Sequence, residues 1–175
     1  VDQANWKTNG NNDQVFDPDA VIEAAAWESG MDNAPRFDKQ GIGEDDLGVQ
    51  VFENKDSSGQ VIGYSINQES VDLNAYLYAE KGFLKSMAEL LGKTEDVCRW
   101  EREAKFVRDY INTYMFDEQT GYYYDLQISL SGSGSSGKRL LVNRGKGPEG
   151  WIPLWAKLAP KEKAERVVAN MLDPN

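Results

Sequence analysis

Apolar positions recur at three- and four-residue spacing in four stretches of the chain, and each such stretch predicts a helix. The first is short: Asp17 followed by Pro18 reads as an N-cap with a first-turn proline, and Val21, Ile22 and Ala25 share a face up to Trp27. A long irregular stretch follows, punctuated by Gly30, Pro35, Gly41, Gly43 and Gly48. In "INQESVDLNAYLYAEKGFLKSMAELLG", Leu73, Tyr76/Leu77, Phe83/Leu84, Met87 and Leu90/Leu91 form a stripe that Gly92 should stop. Thr94 can cap the next helix, whose stripe is Val97, Trp100, Ala104, Val107, Ile111 and Tyr114, so the two should pair as an antiparallel hairpin. A last helix carries Ala164, Val167, Val168 and Met171 on one face.

The period changes once. "TGYYYDLQISL" and "KRLLVN" are β-rich runs on either side of "SGSGSSG", which predicts a small ribbon with a Gly/Ser tip. The fold class is therefore mainly α with a small β-hairpin insert. No repeat of solenoid length and no composition shift marks a second domain, so residues 1–175 read as one segment.

Composition narrows the chemistry. Nineteen Lys+Arg against 29 Asp+Glu give a formal net charge of -10. Such a balance opposes nucleic acid and anionic membrane surfaces and leaves a neutral partner, such as a sugar, as the easier one. No run approaches the roughly 20 apolar residues of a membrane span. The sequence contains no histidine, so a Ser/His/Asp triad, a Cys/His pair and an imidazole zinc site cannot be built from these residues. Carboxylates must carry any acid/base work. The single cysteine, Cys98, lies in a helical pattern and reads as a half-buried thiol.

Two corners could carry such work. In "WESGMDN", Trp27 to Asn33, Gly30 permits a bend, and an Asp32 carboxyl beside the Trp27 indole would be partly desolvated, which raises its pKa toward the range of a general acid. In "RGKGPEGW", Arg144 to Trp151, Lys146 and Glu149 supply charge and Trp151 a ring, the combination that suits a pyranose. "GIGEDDLG" lacks the oxygen spacing of an EF-hand. An ordinary turn aspartate and an ordinary tight loop are the competing readings of the two corners.

Four motifs, "WESGMDN", "GYSINQESVDLNAYLY", "DYINTYMFDEQTGYYYD" and "RGKGPEGWIPLWA", together resemble the catalytic domain of bacterial glycoside hydrolase family 63, an α-glucosidase family, from about Ile22 onward. A segment similar to the first occurs in trehalases, which share the (α/α)6 barrel. The resemblance implies that Asp32 is the general acid of an inverting α-glucosidase. Trp27, Glu28, Asn33, Lys146, Glu149 and Trp151 would line the substrate. The opposing general base, a glutamate well toward the C-terminus in that family, has no match after Trp151. It also implies a structural calcium in some members, with Glu69 of "QES" as one ligand, and a periplasmic or secreted location.

A closed barrel of six helical hairpins needs about 400 residues. The expectation is therefore a piece of an (α/α)6 barrel, inactive alone, whose partners are the substrate and the remaining segments of the glycosidase. A noncatalytic carbohydrate-binding or scaffold module and a trehalase-like hydrolase are the rivals.

Overall fold

The computed structural model describes residues 6–8, 14–31, 33–41, 48–128 and 137–173, with the backbone alone at 6–8, 14 and 15. Asp32, most of "GIGEDDLG" and most of "SGSGSSG" lie outside the described residues. In chain order the strands are β1 Trp6–Thr8, β2 Gln14–Phe16, β3 Val51–Lys55, β4 Val61–Ile66, β5 Gln68–Glu69, β6 Phe116–Asp117, β7 Tyr122–Tyr123, β8 Leu126–Ile128 and β9 Lys138–Leu140. The helices are α1 Pro18–Ser29, α2 Val71–Leu90, α3 Thr94–Tyr114, α4 Ile152–Trp155 and α5 Lys161–Leu172. The chain is mainly helical with small antiparallel strands, consistent with part of a helical barrel. It divides into two compact units, residues 1–68 with 127–137, and residues 69–126 with 138–175.

In the first unit, α1 begins as its sequence dictates: Asp17 caps it, accepting from the Asp19 N–H at 3.2 Å, and Ile22 and Ala26 are buried. Sequence reading missed the β3–β4 hairpin, which pairs Val51 with Ile66 and Glu53 with Tyr64. Its turn was written in "KDSSGQ": Asp56 Oδ1 accepts from the Ser58 N–H at 2.8 Å and the Gln60 N–H at 3.0 Å. The opening residues also find company there. β1 pairs with β2, and Phe16 stacks on Tyr64 with centroids 4.0 Å apart.

The second unit is built on the α2/α3 hairpin. Its antiparallel sense is fixed by Lys81 to Glu103 at 2.7 Å and Lys85 to Glu101 at 2.9 Å. Gly92 does stop α2. Its N–H donates to the Glu89 carbonyl and the Lys93 N–H to that of Ala88, a Schellman motif. α3 starts one residue earlier in role than expected: Lys93 holds the N-cap position and Thr94 is its first helical residue.

The stripe read on α2 points the other way. Leu73, Tyr76, Leu77, Phe83, Leu84, Met87, Leu90 and Leu91 are exposed, while Val71, Ala75 and Ala88 are buried. α2 is apolar on more than one face, and the residues it buries are Val71, Asp72, Ala75 and Ala88. Cys98, expected half-buried, is exposed.

The core of this unit gathers Val71, Ala75, Ile111, Met115, Tyr123, Leu126 and Val167. Each large apolar side chain there contributes about 1.5–3 kcal/mol by leaving water. The two β-rich runs do meet: the Leu141 N–H donates to the Asp125 carbonyl at 3.0 Å. Asp125 has a second task. α2 has no side-chain cap of its own at Ser70, and Asp125 Oδ1, 54 residues on, accepts from the Val71 N–H at 2.8 Å.

Candidate active site

The first corner is a helix stop. Gly30 is left-handed (φ 70°, ψ 11°), and its N–H donates to the Trp27 carbonyl at 3.1 Å. Ser29 Oγ donates to the Ala26 carbonyl at 2.6 Å and accepts from the Met31 N–H at 3.0 Å, so the chain leaves α1 in a fixed direction. A 3-10 turn over Pro35–Phe37 follows, and the Ala34 N–H bonds the Met31 carbonyl at 2.9 Å. Trp27 is 66% exposed, and Glu28 and Asn33 are exposed as well.

Sequence reasoning missed Arg36. The residue is only 3% exposed, and its guanidinium lies 5.2 Å from the Phe37 ring centroid and places Nη1 3.5 Å from the Met31 sulfur. Burying a cation is costly unless its surroundings compensate. The available signal was an arginine four residues after Asp32, between a proline and a phenylalanine.

The second corner is held by contact. A 3-10 turn runs over Pro148–Trp151, and the Gly147 carbonyl accepts from both Tyr122 Oη at 2.9 Å and Trp151 Nε1 at 3.1 Å. Burial pushes the Tyr122 phenol well up, and the charge of Glu149 adds to the effect, so the phenol stays a neutral donor at working pH. Glu149 is buried, whereas Trp151 presents 42% of its surface. Lys146 is exposed and donates to Asn170 Oδ1 on α5. Lys146, Glu149 and Trp151 therefore do share one corner, with the ring and the ammonium available to solvent.

Glu69 sits elsewhere in the same unit. Its Oε1 lies 3.6 Å from Lys138 Nζ, and its Oε2 accepts from the Tyr110 hydroxyl. A calcium ion takes six to eight oxygens. Here the carboxylate faces an ammonium and a phenol, and among the described residues no group of three or more His, Cys, Asp or Glu could hold a metal. These residues do not by themselves fit calcium.

Comparison with known proteins gives the class. Residues 12–175 match the mannosylglycerate hydrolase MGH1-like glycoside hydrolase domain, and the chain belongs to that family of hydrolases. The match agrees with the family 63 resemblance. Curated relatives include a probable trehalase of Eremothecium gossypii, 30% identical over 59% of this chain and 14% of its own length. A cytosolic neutral trehalase of Kluyveromyces lactis is 32% identical over 42% of this chain and 8% of its own length. The chain thus spans a small part of the relatives it matches. Among the described residues, no helix is long and apolar enough to cross a membrane.

Proposed function

We propose that this chain is part of the catalytic domain of an inverting α-glucosidase and that Asp32 is its general acid. The observation that carries the reading is the glycoside hydrolase family match over residues 12–175, which includes both corners. Asp32 protonates the glycosidic oxygen as the bond breaks. A base on the opposite face, about 6.5 to 9.5 Å from the acid, draws a proton from the attacking water. That base comes from a segment outside these residues, as do the other helices of an (α/α)6 barrel. Trp27, Glu28 and Asn33 are the candidate sugar contacts of the first corner, and Lys146, Glu149 and Trp151 those of the second.

In this reading the 175-residue chain alone is inactive, its partners are the remaining segments of the same glycosidase, and the protein works in the periplasm or outside the cell. In this reading a structural calcium belongs only to the assembled protein, with Glu69 as one ligand and the others from outside the described residues.

The test is proton NMR of the assembled enzyme with an α-linked glucose disaccharide, with trehalose and with mannosylglycerate. Early release of β-glucose from the disaccharide is expected. Release of the non-reducing glucosyl unit as the α-anomer, or no turnover of any α-glucoside, overturns the reading. The two trehalase relatives favour a second one, in which trehalose is the substrate. A kcat/KM for trehalose above that for other α-glucosides would select it.

A further inference from the structure

We propose that Asn170 of α5 is a positioning residue of the second corner, holding the Lys146 ammonium in place for the sugar. The inference rests on the reading of Lys146 as a sugar contact. Val167 is fully buried and sets α5 in the core of its unit, and Asn170 lies one turn further along the same side of the helix. Arg166 ties the helix to the turn beneath it: Nη1 donates to Glu118 Oε2 at 2.6 Å and Nη2 to the Glu118 carbonyl. A Cβ on Gly121 would lie 3.2 Å from Arg166 Cβ, so helix and turn are in close contact there.

The amide of Asn170 can point only one way. Its Nδ2 donates to the carbonyls of Thr120 at 3.0 Å, Gly121 at 3.3 Å and Arg166 at 2.9 Å. Carbonyls only accept, so together they fix which end of the amide is nitrogen and turn Oδ1 toward Lys146, whose Nζ donates to it. The same turn leads straight into Tyr122, whose hydroxyl donates to the Gly147 carbonyl at 2.9 Å. Residues 120–122 and the corner are therefore joined twice, through Tyr122 at Gly147 and through Asn170 at Lys146. A lysine side chain samples many rotamers, and a fixed acceptor removes that freedom before the substrate arrives, which lowers the ordering cost of binding. The neutral amide does this without pairing off the charge, and the ammonium keeps further N–H groups for sugar hydroxyls. Pre-ordering helps binding, so its loss falls on KM and not on kcat.

The test is a double-mutant cycle in the assembled enzyme: kcat and KM for maltose and trehalose, with the melting temperature, in wild type, Lys146→Met, Asn170→Ala, these two combined, and Asn170→Asp. Lys146→Met should raise KM about tenfold, Asn170→Ala about threefold with kcat kept, and the combined variant no further than Lys146→Met alone. Asn170→Asp keeps an acceptor for Lys146 but no donors for the turn, so it should melt lower while holding KM within about twofold of wild type. An Asn170→Ala factor that multiplies with that of Lys146→Met overturns the positioning role and leaves Lys146 as a sugar contact. So does an Asn170→Asp KM as high as that of Lys146→Met, which decides the matter by itself should Asn170→Ala not fold. An unchanged KM in Lys146→Met removes Lys146 from the sugar, and no turnover of either disaccharide removes the α-glucosidase reading; the proposal falls with each.

Discussion

The two corners use glycine for opposite reasons. At Gly30 a Cβ would meet nothing within 4 Å, and the residue is needed only because the backbone turns left-handed there. At Gly150 a Cβ would lie 2.3 Å from Tyr122 Cε1 and 2.6 Å from the Tyr123 carbonyl oxygen, so the residue is needed for space. The first corner is shaped by local dihedral preference, whereas the second is shaped by packing against a ribbon distant in sequence. A site built the first way should tolerate side-chain change well, and one built the second way should not.

The sharpest way to separate the corners is kinetic. In the assembled enzyme Asp32→Asn should lower kcat/KM for disaccharides by about 10² to 10⁴-fold, the usual worth of general-acid assistance, and by much less for a glucosyl fluoride, which departs without a proton. An equal loss on both substrates would make Asp32 a residue that holds the corner. Next in size, Gly150→Ala should destabilise the second unit by about 1–3 kcal/mol through overpacking against Tyr122. Chemical denaturation measures it, and an unchanged midpoint would mean that the ribbon yields.

Gly30→Ala should cost only about 1 kcal/mol, the strain of a left-handed alanine. A loss as large as that of Gly150→Ala would break the contrast between the corners.

The smallest effect depends on pH. Burial pushes the Asp117 carboxyl up, but hydrogen bonds from Thr120, whose N–H lies at 2.6 Å, outweigh it and hold the group below the usual carboxylate range. A depressed folded value stabilises above the unfolded value, about 3.9, and the gain fades as pH falls through the folded one. Asp117→Asn should therefore melt lower than wild type at neutral pH, with the gap closing below about pH 4. A gap independent of pH would assign the effect to turn geometry alone.

The helices were legible because Asp17–Pro18, Gly30 and Gly92 are local signals whose meaning does not depend on distant chain. The α2 stripe misled because periodicity says which residues share a face and not which face is covered. The β3–β4 hairpin was passed over although "KDSSGQ" encodes its turn. Of the candidate residues, Glu149 and Trp151 share one 3-10 turn, Glu149 buried and Trp151 part-exposed. Arg36 and Tyr122 were not found, since a buried arginine looks like any surface arginine in a sequence, and Tyr122 acts through a carbonyl 25 residues away.

The Asp125 carboxylate that closes the start of α2 also times the order of events. The α2/α3 hairpin can zip from its own turn, but its first amide is closed by that carboxylate only once the chain has returned 54 residues later. Deuterium uptake at the Val71 amide should therefore report loss of the Asp125 contact and not fraying of the helix, which makes that one proton a built-in gauge of whether the returning chain is docked on α2.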